Sequence, residues 1–390
     1  MNRDNMKNIL DCTGHKLKIR NILDSNGVYL FDAQGKRYMD LESGIWCTSL
    51  GHKNVRINNV IKKQLDSIMH AGFCYSSEIV DNAAKSILSV SGLENGRCVF
   101  LSSGSEAIEI LRQAAMHSVK TPKTLVLHNA ELGAYDSLTD RKHGWYSFEW
   151  KNCKECTDSF ICDLHSEALN NIPKDVTEFI FEPGSDAGLV GFPPKALIQK
   201  IASLVRSNGG KIIANEVTTG IGRTGKWFGY QHYNIKPDMI AIGKGIGNGY
   251  PVSVAVFSEN TISELGTFKY SQSHQNDPMG AAIANEVINI ILDHDLINDV
   301  ARKGKIFISQ LKSLERDNIK IRGRGLIFAI DFMNEKTAEK IYSELIESGY
   351  IVCNRGSLLR IDPPLIITED EFGEFITTLS SIVGQEMVST

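Results

Sequence analysis

The sequence predicts an α/β protein: a large, mostly parallel β-sheet covered by helices on both faces, joined to a smaller α+β domain. Three observations carry this. The runs RCVFL, TLVLH, EFIFEP, KIIANEV, DMIAIG and VSVAVFS alternate with amphipathic stretches, the rhythm of a parallel sheet with helical crossovers. At 390 residues the chain suits a large domain plus a smaller one. From Pro278 onward the rhythm changes to one long helical stretch followed by short strands.

Taken in order, VYLFDAQGKRYMDL reads as a hairpin around Ala-Gln-Gly. Asn54–His70 reads as a helix, with Ile57, Val60, Ile61, Leu65 and Ile68 on one face. After RCVFL, the small residues Ser102-Ser103-Gly104-Ser105 open a helix whose apolar side is Ala107, Ile108, Leu111 and Ala115. Pro193–Ser207 is a further helix, opened by Pro-Pro and stopped by Asn-Gly-Gly. A helix over Pro278–Arg316 then leads to the strand RGLIFAIDF, another helix, and the strands YIVC and LLRI. The division expected is residues 1–45 packing with the small domain, 46–277 as the large domain and 278–390 as the small one.

The composition, 42% hydrophobic and 23% charged, is that of an ordinary globular protein. A net charge of −4 gives no support for nucleic-acid binding, which calls for a basic excess. No apolar run is long enough to cross a bilayer, and the opening MNRDNMKNILDCTGHK lacks a signal-peptide stretch, so the expectation is cytoplasmic. Eight cysteines in this length do not form a disulfide scaffold. Cys153, Cys156, Cys162 and His165 have zinc-ligand chemistry, but a second CxxC is missing. The expectation is therefore no metal, with Cys162 ending a buried strand SFICDL and the CxxC in a loop; metal binding stays open.

Two stretches carry chemistry. Lys244 directly follows an apolar run amid glycines, in PDMIAIGKGIGNGYP. Burial there lowers a lysine from its usual ~10.4 and makes the amine a nucleophile, whereas a solvated lysine on a glycine loop would do neither. Ser102–Glu106, at a helix start, offers free amide N–H groups to an anion, or an ordinary serine cap.

Together these pieces resemble the class III aminotransferases, pyridoxal-phosphate enzymes of the aspartate aminotransferase fold (fold type I). The resemblance runs from about Gly27 to about Leu379 through GVYLFDAQGKRYMDL, SLGH, FLSSGSEAIE, FEPG, NEVTTGIGRTG, PDMIAIGKGIGNGYP, SQSHQNDP and LLRIDPPLIIT, in the family's order. It implies that Lys244 holds the cofactor through a Schiff base and moves the proton as general acid and base. It implies that Gly104 and Ser105 bind the phosphate, that Val217 packs on the ring, and that Ser273 reaches the phosphate of a partner subunit in a homodimer. Arg360 matches the arginine that clamps a substrate carboxylate, for which a planar guanidinium is suited. Trp46 falls where the family lines its substrate pocket, as in its ω-amino-acid branch, or is plain core.

The sequence departs from the family at three places. Asn215 stands where an aspartate keeps the pyridine nitrogen protonated; a neutral amide cannot do so by charge, unless Glu216 or another acid compensates. In an ungapped register, which keeps GAYDS in step, Glu131-Leu132-Gly133 stands where the family has an aromatic that stacks on the ring, a histidine and a glycine, which brings Glu131 near the cofactor; a shifted register instead sets His128 at the histidine and Gly133-Ala134 at a later glycine-alanine pair. Ala187, in FEPGSDAG, replaces the second glutamate of ornithine-type relatives and argues against a typical ornithine or acetylornithine aminotransferase. The leading expectation is an aminotransferase acting on a carboxylate-bearing amine and a 2-oxo acid. The alternatives are a racemase or epimerase on the same fold, and a cofactor-binding protein with little catalysis.

Overall fold

The computed structural model describes residues 17–117, 119–139, 143–151, 155–184 and 188–388, with residues 8, 10, 12, 13 and 141. Ala187 and Cys153 lie outside the described residues.

The chain begins its regular structure with β1 (Ile22–Asn26), β2 (Tyr29–Asp32) and β3 (Arg37–Asp40), an antiparallel meander. The β2–β3 turn is the expected hairpin. Asp32 Oδ1 accepts from the N–H groups of Gln34 and Lys36, and Gly35 takes φ +79°, which only glycine adopts without cost.

Seven strands form the large sheet: β4 (Arg97–Leu101), β5 (Thr124–Leu127), β6 (Trp145–Phe148), β7 (Glu178–Phe181), β8 (Lys211–Asn215), β9 (Met239–Ile242) and β10 (Ser253–Phe257). Their spatial order is β4-β10-β9-β8-β7-β5-β6. Only β10 runs against its neighbours, so β4 to β9 all point the same way. Alternate residues feed two cores: Leu125, Phe179, Ile212 and Ile240 face one, Val126, Ile180, Ile213 and Met239 the other. Burial on both faces is why these strands read as unbroken apolar runs rather than alternating ones.

The remaining strands are β11 (Lys320–Arg324), β12 (Ile327–Asp331), β13 (Tyr350–Ile351), β14 (Cys353–Arg355) and β15 (Leu358–Ile361). Four of them make an antiparallel sheet in the order β11-β12-β15-β14, while β13 adds in parallel to β3.

Three local expectations change. SFICDL is not a strand; Cys162 is the N-cap of the helix Asp163–Asn170 and accepts from His165 N–H. The helix begun by Asn54 stops at Leu65, because the Gln64 side chain bonds to the Ile68 carbonyl and turns the chain back. The stretch from Pro278 is two helices, Pro278–Asp293 and Leu296–Lys312, restarted at Asp295 with φ +48°. The first is apolar almost all round because it packs between the helices Val55–Leu65 and Glu78–Ser91.

The helix Leu296–Lys312, the β11–β12 turn and the loop after β8 stack through two glycines. A Cβ on Gly304 would lie 2.6 Å from the Gly325 carbonyl oxygen, and one on Gly325 would lie 2.4 Å from the Thr224 backbone. Gly325 also has φ +58°. Gly325→Ala is predicted to cost about 1–3 kcal/mol from overpacking, with a further ~1 kcal/mol for the backbone angle. A urea midpoint equal to that of the unaltered protein would show that the stack relaxes freely.

Candidate active site

Five loops leave the carboxyl ends of the co-directional strands and converge, as the topology of such sheets requires of a ligand site. They bring Ser103–Ser105 after β4, Glu131 after β5, Glu182 after β7, Asn215 at the end of β8 and Lys244 after β9.

The first loop opens the helix Gly104–Met116. Ser103 caps it and Glu106 completes a capping box, its carboxylate accepting from the Ser102 and Ser103 N–H groups at 2.7 and 2.8 Å. That leaves the first-turn amides of Gly104 and Ser105 for an anion, at the positive end of the helix dipole. Gly104 also allows a close approach: a Cβ there would lie 2.7 Å from Val217 Cγ1. Ser105 Oγ accepts from Ala134 N–H at 3.0 Å, and a Cβ on Gly133 would lie 2.5 Å from that oxygen. The two loops are thus locked edge to edge.

Lys244 starts a short turn in the left-handed region, φ +47°. Its Nζ donates to Thr218 Oγ1 at 3.0 Å and lies 4.5 Å from the centre of the Trp46 ring. Burial holds the ammonium below the ordinary lysine value; Glu131 and Glu182 oppose this and Arg360 adds to it. Thr218 has no obvious motif signal beyond its place in NEVTTG, and Glu182 was legible only as part of FEPG.

Arg360, on β15, is 3% exposed and lies 3.7 Å from the centre of the same Trp46 ring. Its Nε donates to Asp362 at 2.5 Å and its Nη1 to the Gly188 carbonyl at 3.3 Å. Burial works against its charge, but Asp362, with Cys353 and Glu42, more than offsets it, and its pKa is raised. Trp46 is buried, so one indole carries both the lysine and the arginine. Ser273, by contrast, is exposed in a turn of this chain.

Asn215 is 4% exposed and already satisfied. Its Nδ2 donates to the Glu131 carbonyl at 2.9 Å and its Oδ1 accepts from Val217 N–H at 3.3 Å. Glu216 does not compensate: its carboxylate is turned to the Gly229 and Tyr230 N–H groups and to Thr219 Oγ1, all within 2.8 Å. Burial pushes Glu216 up to about 7. The Glu131 N–H donates to Glu182 at 3.2 Å, so the loop after β5 is held on both sides.

The donor set suits a flat, phosphorylated aldehyde: amides and a hydroxyl for the phosphate, Val217 in a slot that glycine keeps open, and a buried amine for the carbonyl. It offers no acid at position 215.

A family model described as Aminotransferase class-III matches residues 13–132 and 145–383. Among curated proteins, the acetylornithine aminotransferase of Methanosarcina acetivorans is 26% identical over 357 residues, covering 90% of this chain and 89% of its own. The [LysW]-aminoadipate semialdehyde/glutamate semialdehyde transaminase of Sulfolobus acidocaldarius is 28% identical, covering 90% and 92%. Among solved structures, the taurine:2-oxoglutarate aminotransferase of Bifidobacterium kashiwanohense, in complex with PLP and glutamate, superposes with a TM-score of 0.87 at 23% identity, over 96% of this chain and 94% of that one. An amine transaminase from an uncultivated Pseudomonas species gives a TM-score of 0.88 at 22% identity, over 97% and 99%.

Asn215→Asp sets a carboxylate against the Glu131 carbonyl in place of an N–H donor. Without cofactor, the variant is predicted to be destabilised by about 1–3 kcal/mol, the cost of a buried acceptor left unmatched. Added pyridoxal phosphate should raise its melting temperature more than that of the unaltered protein. Equal melting temperatures without cofactor would mean the amide bond to Glu131 contributes nothing.

Proposed function

The chain belongs to the class III aminotransferases, and from that membership we propose its substrate class and the division of work among its residues. It is a pyridoxal-phosphate-dependent enzyme that moves an amino group from a donor to a 2-oxo acid. When bound, the cofactor supplies an electrophilic carbonyl carbon and a conjugated ring that takes up the electron pair released at the donor carbon. In our reading, Gly104 and Ser105 hold its phosphate, Val217 packs on its ring and Lys244 holds its carbonyl carbon. Lys244 Nζ then takes the proton from the donor carbon and returns it, with Thr218 fixing the amine's position. Asn215 contributes hydrogen bonds and no charge at the ring.

The donor we propose carries a carboxylate. One observation supports this most: Arg360 and Lys244 lie on the same Trp46 indole, 3.7 and 4.5 Å from its centre. A molecule with its amine at Lys244 meets a guanidinium across the ring. Nε of Arg360 is taken by Asp362 and one Nη1 hydrogen by the Gly188 carbonyl, which leaves Nη2 and the second Nη1 hydrogen to pair with a carboxylate. The relatives act on different donors at nearly the same identity, 26% and 28%, so similarity alone does not choose among them.

The proposal extends to assembly and setting. Ser273, exposed on one chain, would reach the phosphate held by a second copy, making a homodimer with shared sites. The chain divides into residues 1–45, 46–277 and 278–390, with the first packing on the last. Eight cysteines in 390 residues, without a disulfide framework, favour a reducing compartment such as the cytoplasm.

The test uses cofactor-loaded enzyme, a panel of amines and no acceptor, with pyridoxamine phosphate measured after denaturation. Carboxylate-bearing amines should convert the cofactor; a panel that leaves it unchanged would overturn the donor reading. In Arg360→Lys, kcat/KM for such a donor should fall by the equivalent of about 2–5 kcal/mol, while a carboxylate-free amine is spared. An equal loss for both amines would remove Arg360 from substrate binding.

A further inference from the structure

A second cluster of reactive side chains lies away from this site, in the connection between β6 and the helix Asp163–Asn170. Cys156 Sγ is 3.4 Å from Cys162 Sγ and 3.0 Å from His165 Nδ1, and Cys162 Sγ is 3.6 Å from the same nitrogen. Cys162 and His165 are 2% and 1% exposed. Three soft donors from three places in the chain therefore face one point, with all donor atoms within 4.8 Å of one another.

Two features favour an ion over plain packing. Each sulfur receives a backbone N–H: Cys162 N donates to Cys156 Sγ at 3.2 Å, and His165 N to Cys162 Sγ at 3.4 Å. Backbone N–H groups aimed at sulfur are the outer-shell contacts that metal-bound sulfurs accept. The spacing also suits a tetrahedral ion. Metal–sulfur bonds of about 2.3 Å and metal–nitrogen bonds of about 2.0 Å set donor edges of roughly 3.5–3.8 Å. Two of the three edges lie within a few tenths of an ångström of that, and the third must open by about half an ångström. A disulfide would need the sulfurs at about 2.05 Å and gives no reason for an imidazole nitrogen to face both.

We propose that Cys156, Cys162 and His165 bind a zinc ion that staples the β6 connection to the start of the following helix. On binding, each thiol gives its proton to solvent as its sulfur–zinc bond forms. Two thiolates balance the dication, so a buried, neutral cluster results, which avoids the cost of burying an unpaired charge. Three protein ligands leave the fourth position of the tetrahedron to a water, and the ion's proposed role is to hold the connection in place. That connection also reaches the helix Lys195–Ser207, whose first N–H donates to Asp158 Oδ1 at 3.0 Å. Trp150, from the same connection, packs on the main core. Zinc thus fastens the edge of the large sheet and takes no part in amino transfer.

The experiment uses tag-free, cofactor-loaded enzyme purified under reducing conditions. Elemental analysis should find about one zinc per chain, and Cys162→Ser and His165→Gln should each lower zinc affinity by about tenfold or more. Cys74→Ser, at an exposed cysteine, should leave it unchanged. Where a variant fails to fold, cobalt titration of the unaltered, zinc-stripped enzyme gives the answer. A thiolate-to-cobalt band saturating at one equivalent supports the site. Cobalt without that band, zinc-free enzyme that does not take up zinc, or a Cys156–Cys162 disulfide in the purified protein overturns it. Pyridoxamine phosphate formation reports on the active site separately, so neither result can stand in for the other.

Discussion

Asp362 is fully buried between two buried arginines, and the relative placement of the three sheets rests on it. Arg360 comes from β15 and Arg223 from the loop after β8. Burial pushes the Asp362 carboxyl up, and the two arginines hold it down. Arg223 is drawn down to about 10 by burial, with Asp362 and Asp40 opposing. Its guanidinium also donates to the Leu326 and Pro363 carbonyls and to the Ser43 and Ser49 hydroxyls. Backbone bonds from Asp362 N to Leu41 O and from Leu365 N to Ser49 O close the same junction. Loss of one arginine would leave an uncompensated buried charge, a defect worth about 3–5 kcal/mol.

That junction also stabilises a turn that local energetics disfavour. Ser43, Gly44, Ile45 and Trp46 all have φ between +49° and +63°, a left-handed turn that costs roughly 1–2 kcal/mol for each non-glycine residue. Asp40 accepts from the Glu42 and Gly44 N–H groups, Ser43 Oγ donates to the Asp362 carbonyl, and Arg223 donates to Ser43. Asn248, just past Lys244, bonds Leu50 N–H and the Gly51 carbonyl. The strained turn is thereby fixed at both ends, and Trp46 is set where lysine and arginine meet. Strain held in place by surrounding structure is a recurrent feature of functional sites.

Much of this was legible from residues alone, for reasons that differ by element. Strands buried on both faces announce themselves as apolar runs, as five of the seven in the large sheet do, and the edge strand β4 keeps enough apolar residues to do the same. β6, WYSF at the sheet edge, is half-exposed and did not. The restart at Asp295 is a backbone event inside a continuous apolar pattern, invisible to periodicity. Within the site, Lys244, Arg360 and Asn215 sit in motifs whose order is distinctive. Arg223 and Asp362 sit in the same motifs, but a charged residue in a glycine-rich loop or before a proline pair reads as solvated. Their burial comes from the packing of three sheets, which no local signal carries.

The placement of negative charge follows a single constraint. The loop after β5 must be pinned to the end of β8, and it presents the Glu131 carbonyl there. A carbonyl needs a donor, and an aspartate at 215 would offer only acceptors, whereas asparagine donates to Glu131 and still accepts from Val217. Glu216 does not stand in for an acid at 215, because two backbone amides and a threonine hydroxyl already hold its carboxylate. The acids that remain, Glu131 and Glu182, act instead on Lys244, opposing the effect of burial on its ammonium. In this chain the carboxylates are organised around the Lys244 amine rather than around position 215.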